Sequence, residues 1–304
     1  MRTAFMQTLI QAAQQDPNLY LLVGDVGFSV IEEFQQKFQH RYINAGIAEQ
    51  SMIGLAAGLA MAGKNVFVYS IVPFVTMRCF EQVRDDLCYQ NLPVKIVGTG
   101  AGLDYGSLGG THHSIEDMAI MRCIPGMTVL APGSFYETQA LTKELCSYQG
   151  PAYLRLSRSD NAVPYATDTA VIIGSPIEII PNAKRILITT GNMLDLGYTI
   201  CKTLQAQGIN LGLVSMPTIK PLNLQWLQKD SLEAIYTLEE HNYFGGMGEA
   251  IGAYIAQNFE RKITFKPFAI NDEYCHVGGK SEYLRQQLGL SLQSIESAIK
   301  QQIC

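Results

Sequence analysis

The chain has 304 residues, 47% of them apolar and 16% charged, with a formal net charge of -5. That length is long for one hydrophobic core and comfortable for two, and the balance is that of an ordinary globular protein. A mildly acidic chain without a Lys/Arg run argues against a nucleic-acid partner, and its longest weakly polar stretch, residues 52–63, is too short to span a bilayer.

The opening segment MRTAFMQTLIQAAQQD reads as an amphipathic helix. It lacks the continuous apolar core and small-residue cleavage site of a signal peptide, so a cytoplasmic location with no membrane association is expected. Apolar runs follow at residues 19–24, 65–70, 94–99, 128–131 and 152–156, alternating with helical patterns at 48–62, 74–89, 114–121 and 134–147. Such alternation predicts parallel strands with crossover helices, and runs apolar on both faces fit a sheet covered on both sides. The pattern breaks over 159–181, a stretch with three prolines and no helical period, which reads as a linker with room for a small hairpin. Strands near 185–190, 211–215, 235–239 and 265–270, with helices at 194–207 and 246–258, then predict a second, smaller α/β domain. The expected division is a first domain over 1–165, a linker over 166–184 and a second domain over 185–304. Seven scattered cysteines, an odd number without metal or redox spacing, predict reduced and mostly buried thiols. The five histidines show no spacing that would build a metal site.

The most informative segment is AGIAEQSMIGLAAGLAMA, residues 45–62, which puts Glu49 in the first turn of a Gly/Ala-rich helix after a strand. Alone, that glutamate would be a carboxylate favoured by the helix dipole. The segment resembles the one that supplies the activating glutamate of transketolases, deoxyxylulose-phosphate synthases and the β subunits of 2-oxoacid dehydrogenases. EQVRDDLCYQNLPV, the run KIVGTGAGLDYGSLGGTHHSIEDMAIMRCIPGMTVLAP and YLRLSRSD extend the resemblance, to transketolases most closely, across residues 1–160. ITTG and LEEHNYFGGMGEAI carry a looser likeness through the second half.

The resemblance implies a parallel-sheet pyrimidine-binding domain of the thiamine-diphosphate-binding fold, followed by a transketolase C-terminal domain. It also implies thiamine diphosphate as cofactor, an electron sink for carbon–carbon chemistry. Glu49 would hydrogen-bond the aminopyrimidine, in a pocket of low dielectric flanked by Ile47, Met52 and Ile53. Phe74 would stack on that ring, worth about 0.5–1.5 kcal/mol. Asp25, in VGDVGFS, matches an aspartate near the cofactor and the subunit contact; as a lone strand-end residue it would equally be a loop cap. His112 would handle substrate protons, which suits an imidazole, and His113 is either a second substrate contact or a solvated neighbour. Arg2, Ser29 and Arg158 fall on phosphate-binding positions, and arginine's planar fork suits phosphate.

Departures from the family pattern are Ile71 for an aromatic, Gly100 for a phosphate-contacting histidine and Leu108 for an aspartate that reads a donor hydroxyl. They open the way to a different acceptor, such as a keto-sugar or a nucleotide-linked sugar. The glycine-rich loop over 98–113 lacks a GxGxxG or P-loop pattern and so gives no separate nucleotide site. The family's GDG and downstream Asn, which hold the diphosphate metal, are missing; Gly24-Asp25-Val26 stands instead. The resemblance therefore implies a diphosphate-binding N-terminal subunit as partner, with Mg bound there through oxygen ligands and an α2β2 assembly. Gly54, Ala57 and Gly58 either pack against a symmetry mate or belong to a buried helix of one domain. The expected activity is transfer of a two-carbon ketol unit from a ketose phosphate. A 2-oxoacid dehydrogenase β subunit and a non-catalytic partner subunit are the alternatives.

Overall fold

The computed structural model describes residues 1–159, 163–166, 169–182 and 184–303. Parts of the expected linker (residues 160–162, 167–168 and 183) and Cys304 lie outside them.

The N-terminal unit runs α1 (Arg2–Gln15), β1 (Leu19–Val23), α2 (Glu32–Lys37), β2 (Tyr42–Asn44), α3 (Glu49–Met61), β3 (Asn65–Ile71), α4 (Val72–Thr76), α5 (Phe80–Gln82), β4 (Val94–Thr99), α6 (Asp117–Cys123), β5 (Thr128–Leu130), α7 (Phe135–Leu145) and β6 (Ala152–Leu156). The C-terminal unit adds β7 (Ile177–Ile180), β8 (Arg185–Thr189), α8 (Leu194–Ala206), β9 (Gly212–Ser215), β10 (Thr218–Lys220), β11 (Ala234–Asn242), α9 (Met247–Asn258), β12 (Thr264–Ile270), α10 (Ser281–Gln287) and α11 (Leu292–Ile303). Among the described residues these strands form a seven-stranded sheet, β10-β5-β6-β4-β3-β1-β2, and a five-stranded sheet, β12-β11-β8-β9-β7. Every pairing is parallel except at two edges, where β10 and β7 run antiparallel to β5 and β9.

The apolar runs are strands because both faces are covered. All six residues of β4 and all five of β6 are buried. On one side of the first sheet, α1 and α7 close a core around Phe5, Leu9 and Leu141. On the other, α3 contributes Met52, Ile53 and Ala56 to a cluster that continues without a break to Ile188, Ile235 and Met247 of the second unit. The two units therefore share a core.

Two strands depart from the sequence reading. Ile177–Ile180, inside the expected linker, is an edge strand of the second sheet. Thr218–Lys220, within the expected second domain, pairs with β5 of the first sheet. The described cysteines are unpaired, and burial pushes the thiols of Cys79, Cys88 and Cys201 up to about 12. No helix among the described residues is long and apolar enough to cross a membrane.

At the end of β11, Glu239 is fully buried and accepts hydrogen bonds from the N–H groups of Met247 and Gly248, each 2.7 Å, at the start of α9. The GGMG run leaves it room: a Cβ at Gly246 would sit 2.6 Å from a Glu239 oxygen. Burial pushes this carboxyl from 4.5 up to about 7 against the two N–H donors. A carboxyl raised on folding holds its proton better in the folded state. Its contribution is complete below the unfolded value and is lost as pH rises through about 7. The melting temperature is therefore expected to fall between about pH 5 and 7, and Glu239→Gln should flatten that part of the profile. A calorimetric pH series on both proteins checks this; identical slopes would refute it.

Candidate active site

The C-terminal ends of β1, β2, β3 and β4 bring the predicted residues to one side of the first sheet. Asn44, the last residue of β2, ties two loops together. Its Oδ1 accepts from the N–H groups of Asp25 (3.2 Å) and Gly46 (2.9 Å), and its amide donates to Asp25 Oδ1 at 3.0 Å. Gly46 turns the chain at φ 69°, and α3 starts three residues later with Glu49. The Glu49 side chain is 1% exposed. One carboxyl oxygen lies 3.4 Å from Ser70 Oγ, and the other accepts from Arg78 Nη1 at 2.6 Å. Met52 and Ile53 are fully buried beside it, but Ile47 is 77% exposed and so does not wall the pocket as the sequence reading expects. Gly24 closes the other side, where a Cβ would stand 3.0 Å from Ser70 Oγ and 3.4 Å from Glu49 Oε1.

From Glu49 a row of flat groups leads outward. Arg78 lies over the Phe74 ring, 4.4 Å from its centroid, because the two are four residues apart in a helical stretch. Phe74 meets His112 edge-on at 5.3 Å, and His112 meets Tyr105 at 5.7 Å. Arg158 lies over Tyr105 at 4.9 Å. Arg2, in the first turn of α1, brings its charge to the phenols of Tyr69 and Tyr105. His112 Nδ1 is 3.0 Å from Thr111 Oγ1, which leaves Nε2 for other contacts.

The adjacent histidine is placed differently. His113 is 5% exposed, with Nε2 2.8 Å from the Gly106 carbonyl, so it is not the solvated neighbour. Asp25 and Ser29 are exposed on the loop after β1, at φ 52° and 66°, and the Ser29 N–H donates to Glu32 Oε1 at 2.6 Å. Sequence reasoning missed Ser70, Arg78 and Tyr105. Only Arg78 left a signal, its helical spacing from Phe74.

The loop carrying Tyr105 and His112 is held from the second unit. Leu103 N–H donates to Glu240 Oε2 at 3.1 Å, and Asn192 and Arg285 also bind the Glu240 carboxylate. Gly102, at φ 59°, permits this approach, since a Cβ there would strike that carboxylate. Below the loop, fully buried Arg155 donates from Nε to Asp117 Oδ2 (2.8 Å) and from Nη2 to the carbonyls of Ser114 (2.9 Å) and Glu240 (3.1 Å). Tyr153 donates to the same Asp117 oxygen at 2.6 Å.

Comparison with known proteins gives two family matches: "Transketolase, pyrimidine binding domain" over residues 1–163 and "Transketolase, C-terminal domain" over residues 178–295. A putative transketolase C-terminal section of Methanocaldococcus jannaschii is 35% identical over 100% of this chain and 96% of its own. One of the subunits of an apulose-4-phosphate transketolase of Phocaeicola vulgatus is 33% identical over 97% of this chain and 94% of its own. A solved structure described as "Split gene transketolase, inactive beta4 tetramer" superposes with a TM-score of 0.86 at 30% identity, covering 99% of this chain and 96% of that one.

Proposed function

The chain belongs to the transketolase family, and on that premise we propose that it is the pyrimidine-binding subunit of a split, thiamine-diphosphate-dependent enzyme that transfers a two-carbon ketol unit from a ketose phosphate. One observation carries the reading: a buried carboxylate at a helix start lies beside an unbroken row of rings and guanidinium groups that ends at Arg158. The pyrimidine half of the cofactor fits the chain's own residues. At Gly24 a Cβ would crowd the Ser70 hydroxyl at 3.0 Å, and Phe74 offers a half-buried aromatic face.

Bound thiamine diphosphate supplies the electron sink for breaking and making the carbon–carbon bond. Glu49 would hold the aminopyrimidine by a hydrogen bond, with Ser70 and Arg78 fixing its two oxygens. Phe74 would orient the ring by stacking. His112, through Nε2, exchanges protons with a substrate hydroxyl or carbonyl. Arg2 and Arg158 bind the anionic end of the sugar, with Ser29 at the loop edge, and Asp25 stands where cofactor and partner meet. His113 supports the loop through Gly106.

The diphosphate and a Mg ion belong on an N-terminal subunit, in an α2β2 assembly. The open space over Gly54 and Gly58 on α3 supports a close helix contact there. The relative named for apulose 4-phosphate supports a sugar phosphate as substrate. The neighbour described as an inactive tetramer of β chains suits a subunit that needs its partner. In the test, the purified pair is offered xylulose 5-phosphate with an aldehyde acceptor, or pyruvate. Consumption of the ketose phosphate, by the pair and not by this chain alone, is expected. Consumption of pyruvate instead would replace the reading with the 2-oxoacid dehydrogenase alternative.

A further inference from the structure

Tyr105 stands in the row of flat groups, yet neither the resemblance nor the ketol-transfer reading gives it work. We infer that Tyr105 is a specificity-determining residue whose phenol hydroxyl, close to the charges of Arg2 and Arg158, reads a terminal oxyanion of the sugar substrate, a phosphate ester or a sulfonate. The inference rests on the ketol-transfer reading and extends it to a residue and a substrate class.

The ring's position is built into the backbone. Gly100 adopts φ 87°, and a Cβ there would run into the Tyr105 ring, so a side chain at position 100 and this placement of Tyr105 exclude each other. The Arg158 guanidinium lies over one face at 4.9 Å, and His112 meets the ring at 5.7 Å. Tyr105 thus lies between the proton-handling imidazole and the outer cation. Burial raises the phenol's pKa, Arg158 and Arg2 oppose the rise and Asp104 adds to it, so the hydroxyl remains a neutral donor near neutral pH with both cations close by. Two guanidinium groups supply charge to a tetrahedral oxyanion, and a phenol adds a directed bond without a third charge.

Behind this seat lie two hydroxyls with no hydrogen bond of good geometry, Tyr69 Oη and Thr99 Oγ1, on residues 0% and 2% exposed. They sit beside each other, and Tyr69 is also beside Arg2 and Tyr105. The Tyr69 hydroxyl thus has Thr99 and Arg2 as its polar neighbours, which seats the Arg2 charge beside Tyr105.

The experiment uses the reconstituted pair and three ketose donors: xylulose 5-phosphate, a sulfonated ketose of matched length and uncharged erythrulose. The readout is kcat/KM for each anionic donor divided by that for erythrulose, in wild type and Tyr105→Phe, which keeps the ring and removes only the hydroxyl. The ratio is expected to fall about tenfold in the variant, chiefly through KM, the scale of one hydrogen bond to a charged group. A fall for the phosphate or the sulfonate donor alone supports the inference and identifies the oxyanion. An unchanged ratio for both overturns it. Gly100→Ala, which displaces the ring without touching the hydroxyl, should lower the same ratio; if it does not, the placement argument fails. A wild-type pair that turns over none of the three donors overturns the ketol-transfer reading instead, so the two failures are distinct.

Discussion

Glu49→Gln is expected to lower turnover of the reconstituted pair by about 10²–10⁴-fold, the range for loss of a positioned acid–base group, while the pair still assembles. Glutamine matches glutamate in shape and still offers an oxygen to Arg78. Its amide has no ionisable group through which to exchange a proton with the aminopyrimidine. The loss of the ion pair itself is tolerable, because Arg78 is 42% exposed and its guanidinium can turn to water. If the carboxylate served only the first turn of α3, the change would cost about 0.3–1 kcal/mol of stability and leave turnover alone. Donor consumption measured beside the sedimentation profile separates the two. A fully active, assembled Glu49→Gln pair would end the mechanism and favour the non-catalytic partner reading.

Arg155→Met is expected to destabilise the chain by about 3–5 kcal/mol, the cost of breaking a buried ion pair from one side, and to lower the melting temperature by on the order of 10 °C. Both partners are buried, at 1% and 0% exposure, so the charge left on Asp117 cannot reach water. Two carbonyls, of Ser114 and Glu240, lose a donor as well. Burial alone would raise the Asp117 carboxyl, but the charge of Arg155 and then His241 outweighs it and holds the group below the usual aspartate range. A depressed carboxyl stabilises the fold above the unfolded aspartate value, about 3.9, and that contribution disappears as pH falls through the folded value. In the variant burial acts on Asp117 without that opposing charge and raises it, so the loss of stability should be largest near neutral pH and shrink as pH falls through the raised value. A melting temperature within a degree or two of wild type would mean that the pair contributes little net stability.

The fold's plan was legible because the central strands are covered on both faces and so appear as unbroken apolar runs, as at 94–99 and 152–156. Three-residue strands such as β2 and β10 are too short to carry a period, and β7 lies in a proline-bearing stretch. Helices α10 and α11 went unread after residue 270, although Ile295 and Ile299 are spaced by four and both are buried. At the candidate site, Glu49, Phe74 and His112 stood in motifs, and the structure brings Phe74 and His112 into contact, with Arg78 bridging Phe74 to Glu49. Tyr105 and Glu240 did not stand out, because their placement depends on positive φ at Gly100 and Gly102, a property of the folded loop. His113 could not be separated from His112 by spacing, whereas in the fold its Nε2 meets a carbonyl seven residues away.

Strand β10 comes after β9 in the chain but pairs with β5 of the other sheet, with the Ala131 N–H donating to the Pro217 carbonyl at 2.7 Å alongside. The chain is interlaced: one half's outermost strand is encoded among the residues of the other. A protease that nicks the connecting segment would leave two fragments still knitted together, and a gene truncated there would yield a half-protein with the main-chain groups of β5 bare along one side, a template for foreign strands.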